Sequence, residues 1–114
     1  PDTIAGNPDL TGRLLHSLRD ADAESYARCC EALAAHDVRG RLGEITVPVL
    51  AVWGGHDQVT PEALAREIAD GVARGRATGI PGAAHLPPAD DPAATATVIA
   101  DFVSEIERTA DDTA

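Results

Sequence analysis

The sequence predicts an α/β fold in which two helices are followed by strand, helix, strand and helix, with the strands parallel. Three observations lead there. The run Val47 to Trp53 is apolar throughout apart from its proline, as in a strand covered on both faces. It ends in Gly54-Gly55, delivers Asp57 and restarts at Thr60-Pro61, a cap-plus-proline helix opening. A second short strand and a second such opening, Asp91-Pro92, follow, and one crossover between two strands asks for parallel pairing.

Residues 1 to 8, PDTIAGNP, are turn-rich and irregular by expectation. Leu10, Leu14, Leu15 and Leu18 then share one helical face. Asp20 to Asp22 interrupt that pattern, and Asp22 can cap a second helix from near Ala23. There Tyr26, Cys29, Cys30 and Leu33 form the apolar stripe, and His36-Asp37 and Gly40 close the helix. Arg41 to Thr46 is a connector with Leu42 and Ile45 pointing inward. Pro48 belongs near the strand start, where a missing donor is tolerated.

The helix after Thr60-Pro61 should bury Leu64, Ile68 and Val72 and end at Gly71 or Gly75. Arg76 to Ile80 is the second strand, turned by Pro81-Gly82. In the last helix Val98, Ile99, Phe102, Val103 and Ile106 make an amphipathic face. The tail beyond Glu107 is expected to fray or to link onward. Two parallel strands make too narrow a sheet, so the pattern reads as the end of a larger doubly wound one. The lack of methionine and the opening at Pro1 point the same way, to a piece of a longer reading frame.

Composition narrows the function. A formal net charge of -10 opposes a nucleic-acid partner. No apolar run reaches the roughly 18 to 20 residues of a membrane span, and no basic start followed by an apolar stretch suggests a secretion signal. With one Trp, one Tyr and one Phe, the core must be built from Leu, Ile, Val and Ala and packs lightly. Cys29 and Cys30 are adjacent and read as reduced, half-buried packing residues of a cytoplasmic protein. No second Cys or His pair has ligand spacing, so no metal is expected.

Functional groups in such sheets collect in the loops beyond the strands' carboxyl ends. Asp57 lies in the first of these loops and His85 in the next. If the strands are neighbours, a carboxylate comes beside an imidazole, the orienting and proton-transfer partners of a nucleophilic triad. The nucleophile is missing: Ser17, Ser25 and Ser104 all lie outside a Gly-x-Ser-x-Gly elbow. His16 and His36 read as solvated, His56 as a turn residue, and Tyr26 and Trp53 as packing residues.

The string Ile45-x-Val-Pro-Val-Leu-Ala-Val-x-Gly-x-x-Asp57-x-x-Thr-Pro61, with Ala-Ala-His85-Leu86, resembles the C-terminal part of the α/β-hydrolase fold. The resemblance covers Tyr26 to Val103. It implies Asp57 as the triad acid and His85 as the base, with the order Ser, acid, His along the chain. Asp90-Asp91-Pro92 stands where many members carry an acidic residue two before a proline. Upstream, Ser25-Tyr26-Ala-Arg-Cys29-Cys30-Glu-Ala-Leu33 and His36-Asp37-Val-Arg39 are similar to the lid segment of 3-oxoadipate enol-lactonases. Pro87-Pro88 departs from that family, which has small polar residues there.

The resemblance implies a helical lid segment over 1–40, the C-terminal part of a hydrolase core over 41–108, and a tail or linker over 109–114. It also implies hydrolysis of an ester or lactone, most closely 3-oxoadipate enol-lactone in aromatic catabolism, without a cofactor. Arg28 could face a substrate carboxylate from the lid, or be salt-bridged or solvated. Two alternatives stand beside this one, another esterase of the same fold and a non-catalytic interaction module. Either way the narrow sheet calls for a partner, whether the absent N-terminal half of the fold or a second copy at the open edge.

Overall fold

The computed structural model of the chain describes residues 7–111. Most of the irregular N-terminal stretch and the last three tail residues lie outside that range. The chain divides between Gly40 and Arg41 into two compact units.

The first unit holds two helices, α1 (Pro8–Arg19) and α2 (Ala23–Ala35). Each is opened by a side chain that accepts from an otherwise unbonded backbone N–H. Asn7 takes the Leu10 N–H at 3.1 Å, and Asp22 takes the Ser25 N–H at 2.8 Å. Neither helix buries a residue. Leu14, Leu15, Leu18, Tyr26 and Leu33 are exposed, and so are the free thiols Cys29 and Cys30. The half-buried packing expected for the cysteines is therefore corrected. A layer needs another layer to cover its apolar stripe, and this unit contains only two short helices.

The second unit carries β1 (Val49–Gly54), α3 (Glu62–Gly71), β2 (Gly75–Ile80), the single turn α4 (Pro87–Asp90) and α5 (Pro92–Asp111). A 3₁₀ helix, Arg39–Glu44, precedes them in sequence, and its Leu42 is buried. β1 and β2 pair in parallel with Val49 opposite Gly75 and Gly54 opposite Ile80. The ladder begins after Pro48, which has no N–H to give, so Val47 stays outside it and is exposed.

Successive strand residues face opposite sides of the sheet. Gly75 lies under the Ala69 carbonyl of α3, where a Cβ would come within 1.9 Å of that oxygen. Its neighbour Arg76 pairs with Glu105 of α5. One helix thus covers each face. On the α3 side Trp53 lies across Gly79, and the Arg66 guanidinium sits 5.4 Å from the indole centroid.

The core is light and alanine-rich, as the composition requires. Leu42, Ala51, Ala65, Ala69, Val72, Ile80 and Ala83 are its buried apolar members. The buried face of α3 differs from the expected one. Ala65 and Ala69 face the strands, while Leu64 and Ile68 are exposed. Small side chains let the helix lie close on a glycine-bearing strand, so the larger ones are turned outward. In α5 Val98, Phe102 and Ile106 are half-buried, whereas Ile99 and Val103 are exposed. That helix also runs past Glu107 to Asp111, with the Thr109 hydroxyl donating to the Glu105 and Ile106 carbonyls. No helix among the described residues is long and apolar enough to cross a membrane.

Candidate active site

The loops leaving the carboxyl ends of β1 and β2 are laced together by backbone hydrogen bonds. Gly55 N–H donates to Ile80 at 2.9 Å, and His56 N–H donates to Ala83 at 2.9 Å. The lacing needs glycine at the strand end, because a Cβ on Gly54 would lie 2.0 Å from the Ala84 carbonyl oxygen. Neighbouring strands and interlocked loops thus bring Asp57 and His85, 28 residues apart, within hydrogen-bond reach.

His85 Nδ1 stands 3.0 Å from Asp57 Oδ2. The carboxylate is nearly sealed, with 3% of its side chain exposed, whereas the imidazole is 52% exposed. Each carboxylate oxygen is held separately. Oδ1 accepts the Val59 N–H at 2.8 Å and the Thr60 N–H at 3.1 Å. Oδ2 accepts the Thr60 hydroxyl at 2.7 Å and faces the ring.

Burial pushes the Asp57 carboxyl up. The hydrogen bonds from His85, from Thr60 through side chain and backbone, and from Val59 outweigh it and hold the carboxyl well below the usual carboxylate range. Asp57 is therefore ionised at neutral pH and can only accept. The proton between the two groups sits on Nδ1, and a neutral ring carries its lone pair on Nε2. That is the tautomer a general base needs.

The lowered carboxyl has a consequence for stability. Ionised Asp57 stabilises the fold above the unfolded carboxyl's pKa of about 4, and this contribution is lost as pH falls toward the lower folded value. Urea midpoints measured from pH 6 down to about pH 3 should fall more steeply for the wild type than for Asp57→Asn. Parallel curves would mean that the network does not favour the ionised form.

A second acidic residue supports the histidine loop. Asp90 Oδ2 accepts the Ala84 N–H at 2.8 Å. Pro87-Pro88, the departure noted above, opens the one-turn helix α4 that presents Asp90. Asp91 caps α5 by accepting the Ala94 N–H at 2.9 Å. Thr60 is the residue whose role the sequence pattern missed. α3 begins at Glu62 with Pro61 in the cap position, which has no side-chain acceptor to offer, and Thr60, one residue further out, turns its hydroxyl to Asp57.

The other singled-out side chains lie elsewhere. The Arg28 guanidinium is held by Glu24 one turn earlier at 2.5 Å, an exposed helix ion pair. His16 pairs with Asp20 at 3.1 Å, and His56 is exposed in its turn. Among the described residues no serine bonds to His85, and no group of three His, Cys, Asp or Glu could hold a metal.

No family model matches the chain. Over 60 residues, however, it is 47% identical to 3-oxoadipate enol-lactonase 2 of Acinetobacter baylyi, covering 53% of this chain and 22% of that protein. Over 54 residues it is 43% identical to 3-oxoadipate enol-lactonase 1 of the same organism, covering 47% and 20%. It superposes on the crystal structure of an enol-lactonase from Burkholderia xenovorans LB400 with a TM-score of 0.83 and 29% identity, over 90% of this chain and 39% of that one. The chain has the fold of the C-terminal part of an α/β-hydrolase. A hydrolase from Pseudomonas aeruginosa PA01 agrees, with a TM-score of 0.80 and 25% identity over the same shares. The chain spans 22% and 20% of the two curated relatives it matches. Within the hydrolase fold, the Asp57 and His85 loops are those beyond the carboxyl ends of the two described strands.

Proposed function

We propose that this chain carries the acid and the base of a serine-nucleophile hydrolase whose substrate is an enol-lactone of the 3-oxoadipate type. The observation that carries the reading is the 3.0 Å contact between a sealed, ionised Asp57 and the Nδ1 of His85. The likeness to enol-lactonases supports the substrate class. In this reading the serine lies in the part of the protein outside this chain. His85 Nε2 takes the serine proton as the oxygen attacks the lactone carbonyl, while Asp57 holds the ring and stabilises the imidazolium. The ring C–O bond then breaks, and the leaving enolate oxygen takes the proton from His85. Water, deprotonated by the same nitrogen, cleaves the acyl-serine, the departing serine oxygen takes that proton back from His85, and the enol tautomerises to the 3-oxo acid.

The remaining part of the hydrolase is also the partner we propose for the open sheet edge and for exposed Leu64 and Ile68. Exposed free thiols at Cys29 and Cys30 fit a reducing, cytoplasmic setting. The deciding experiment assays the full-length protein against 3-oxoadipate enol-lactone and simple aryl esters, with and without a serine-directed sulfonyl fluoride. Lactone hydrolysis abolished by the inhibitor is the expected result. Hydrolysis of aryl esters alone would move the substrate elsewhere, and no hydrolysis of any ester would end the reading.

A further inference from the structure

We infer that Thr60 is a positioning residue for the acid–base pair. Its hydroxyl donates to the same Asp57 oxygen that accepts from His85, at 2.7 Å, and stands 3.4 Å from the ring nitrogen. Three features separate this from ordinary loop bonding. Oδ1 is already satisfied by two backbone N–H groups, so the hydroxyl is not needed to hold the loop or to fill that oxygen's sites. With Oδ1 anchored, twisting of the carboxylate plane is the motion that carries Oδ2 away from the imidazole, and the hydroxyl opposes it. It also occupies the position from which a water would compete for Oδ2, in keeping with a carboxylate that is only 3% exposed.

Pro61, not Thr60, holds the cap position of α3, so no helix N–H engages the Thr60 hydroxyl. The hydroxyl serves the carboxylate instead. The groups facing the pair are Asp57 and Thr60 from the β1–α3 loop, with Asp90 of α4 bonded to the adjoining Ala84 N–H. Thr60 is the one among them with a hydroxyl in reach of both partners.

The test compares Thr60→Val, nearly isosteric, with Thr60→Ser in the full-length protein. Its kinetic arm rests on the hydrolase reading above. For Thr60→Val, kcat should fall about tenfold with KM changed less than about twofold, the size of a charge-assisted hydrogen bond lost in the transition state. Thr60→Ser should restore kcat to within about twofold of wild type, since it returns the hydroxyl. In the NMR spectrum the His85 Nδ1 proton should broaden by solvent exchange in Thr60→Val and stay sharp in Thr60→Ser. A Thr60→Val protein with wild-type kcat and an unchanged Nδ1 line would overturn the inference, as would a serine variant that restores neither. If the wild type hydrolyses no ester, the hydrolase reading fails and the NMR comparison still decides the role of Thr60.

Discussion

Asp57→Asn in the full-length protein is expected to lower kcat by about a thousand- to ten-thousandfold while leaving the fold intact. The reason lies in how the two carboxylate oxygens are held. The Val59 and Thr60 N–H groups both point at Oδ1 and require an acceptor there. An asparagine must therefore place its carbonyl oxygen at that position and its NH₂ where Oδ2 now faces His85. The imidazole then has to accept at Nδ1 and carry its proton on Nε2, the nitrogen that should take the nucleophile's proton. The Thr60 hydroxyl can turn to accept from the new amide, so nothing is left unpaired and the fold survives the loss of the ionised carboxylate's stabilisation. Nitrogen-15 shifts of the ring would report the tautomer directly. His85→Gln should lose as much, because no group remains to carry the proton. Wild-type turnover from either variant would remove the pair from the chemistry.

How much of this was legible beforehand differs from residue to residue. The closeness of Asp57 and His85 was readable because each follows a strand, and parallel neighbours bring such loops together at one end of the sheet. The helix openings were readable because Asp22 and Asp91 act locally, on N–H groups three residues ahead. Thr60 was misread for the same reason. Its sequence neighbourhood is that of a cap, but α3 starts one residue later with Pro61 in the cap position, and the hydroxyl faces the buried carboxylate instead. The burial of α3 followed a similar course. Periodicity marks Leu64 and Ile68 as its apolar side, yet a two-strand sheet carrying Gly75 and Gly79 accepts only Ala65 and Ala69 at close range. The exposed leucine and isoleucine then form an apolar strip along one side of the helix. Pro87-Pro88 departs from the small polar residues of the family it resembles. It is the start of the turn that carries Asp90 to the Ala84 N–H.

Gly54→Ala is expected to be costly, and to act at the pairing of Asp57 with His85. A Cβ at Gly54 would stand 2.0 Å from the Ala84 oxygen and 2.6 Å from the Ala83 oxygen. Every one of these obstacles is backbone, so no rotamer change relieves it. Either the strand end or the histidine loop has to move. The loop is the softer of the two, but moving it strains the His56 N–H bond to Ala83 and carries His85, the next residue after Ala84, away from Asp57. Overpacking of this kind costs about 1–3 kcal/mol. A displacement of about 1 Å at a catalytic base can cost about a hundredfold in rate. Gly82→Ala is the matched control, because a Cβ there meets nothing within 4 Å. It should stay within about 0.5 kcal/mol of wild type. Urea unfolding and kcat measured side by side decide the matter. Equal behaviour of the two alanine variants would mean that the loop yields freely at Gly54, and that the short reach between Asp57 and His85 is set by something other than the close fit of loop on strand.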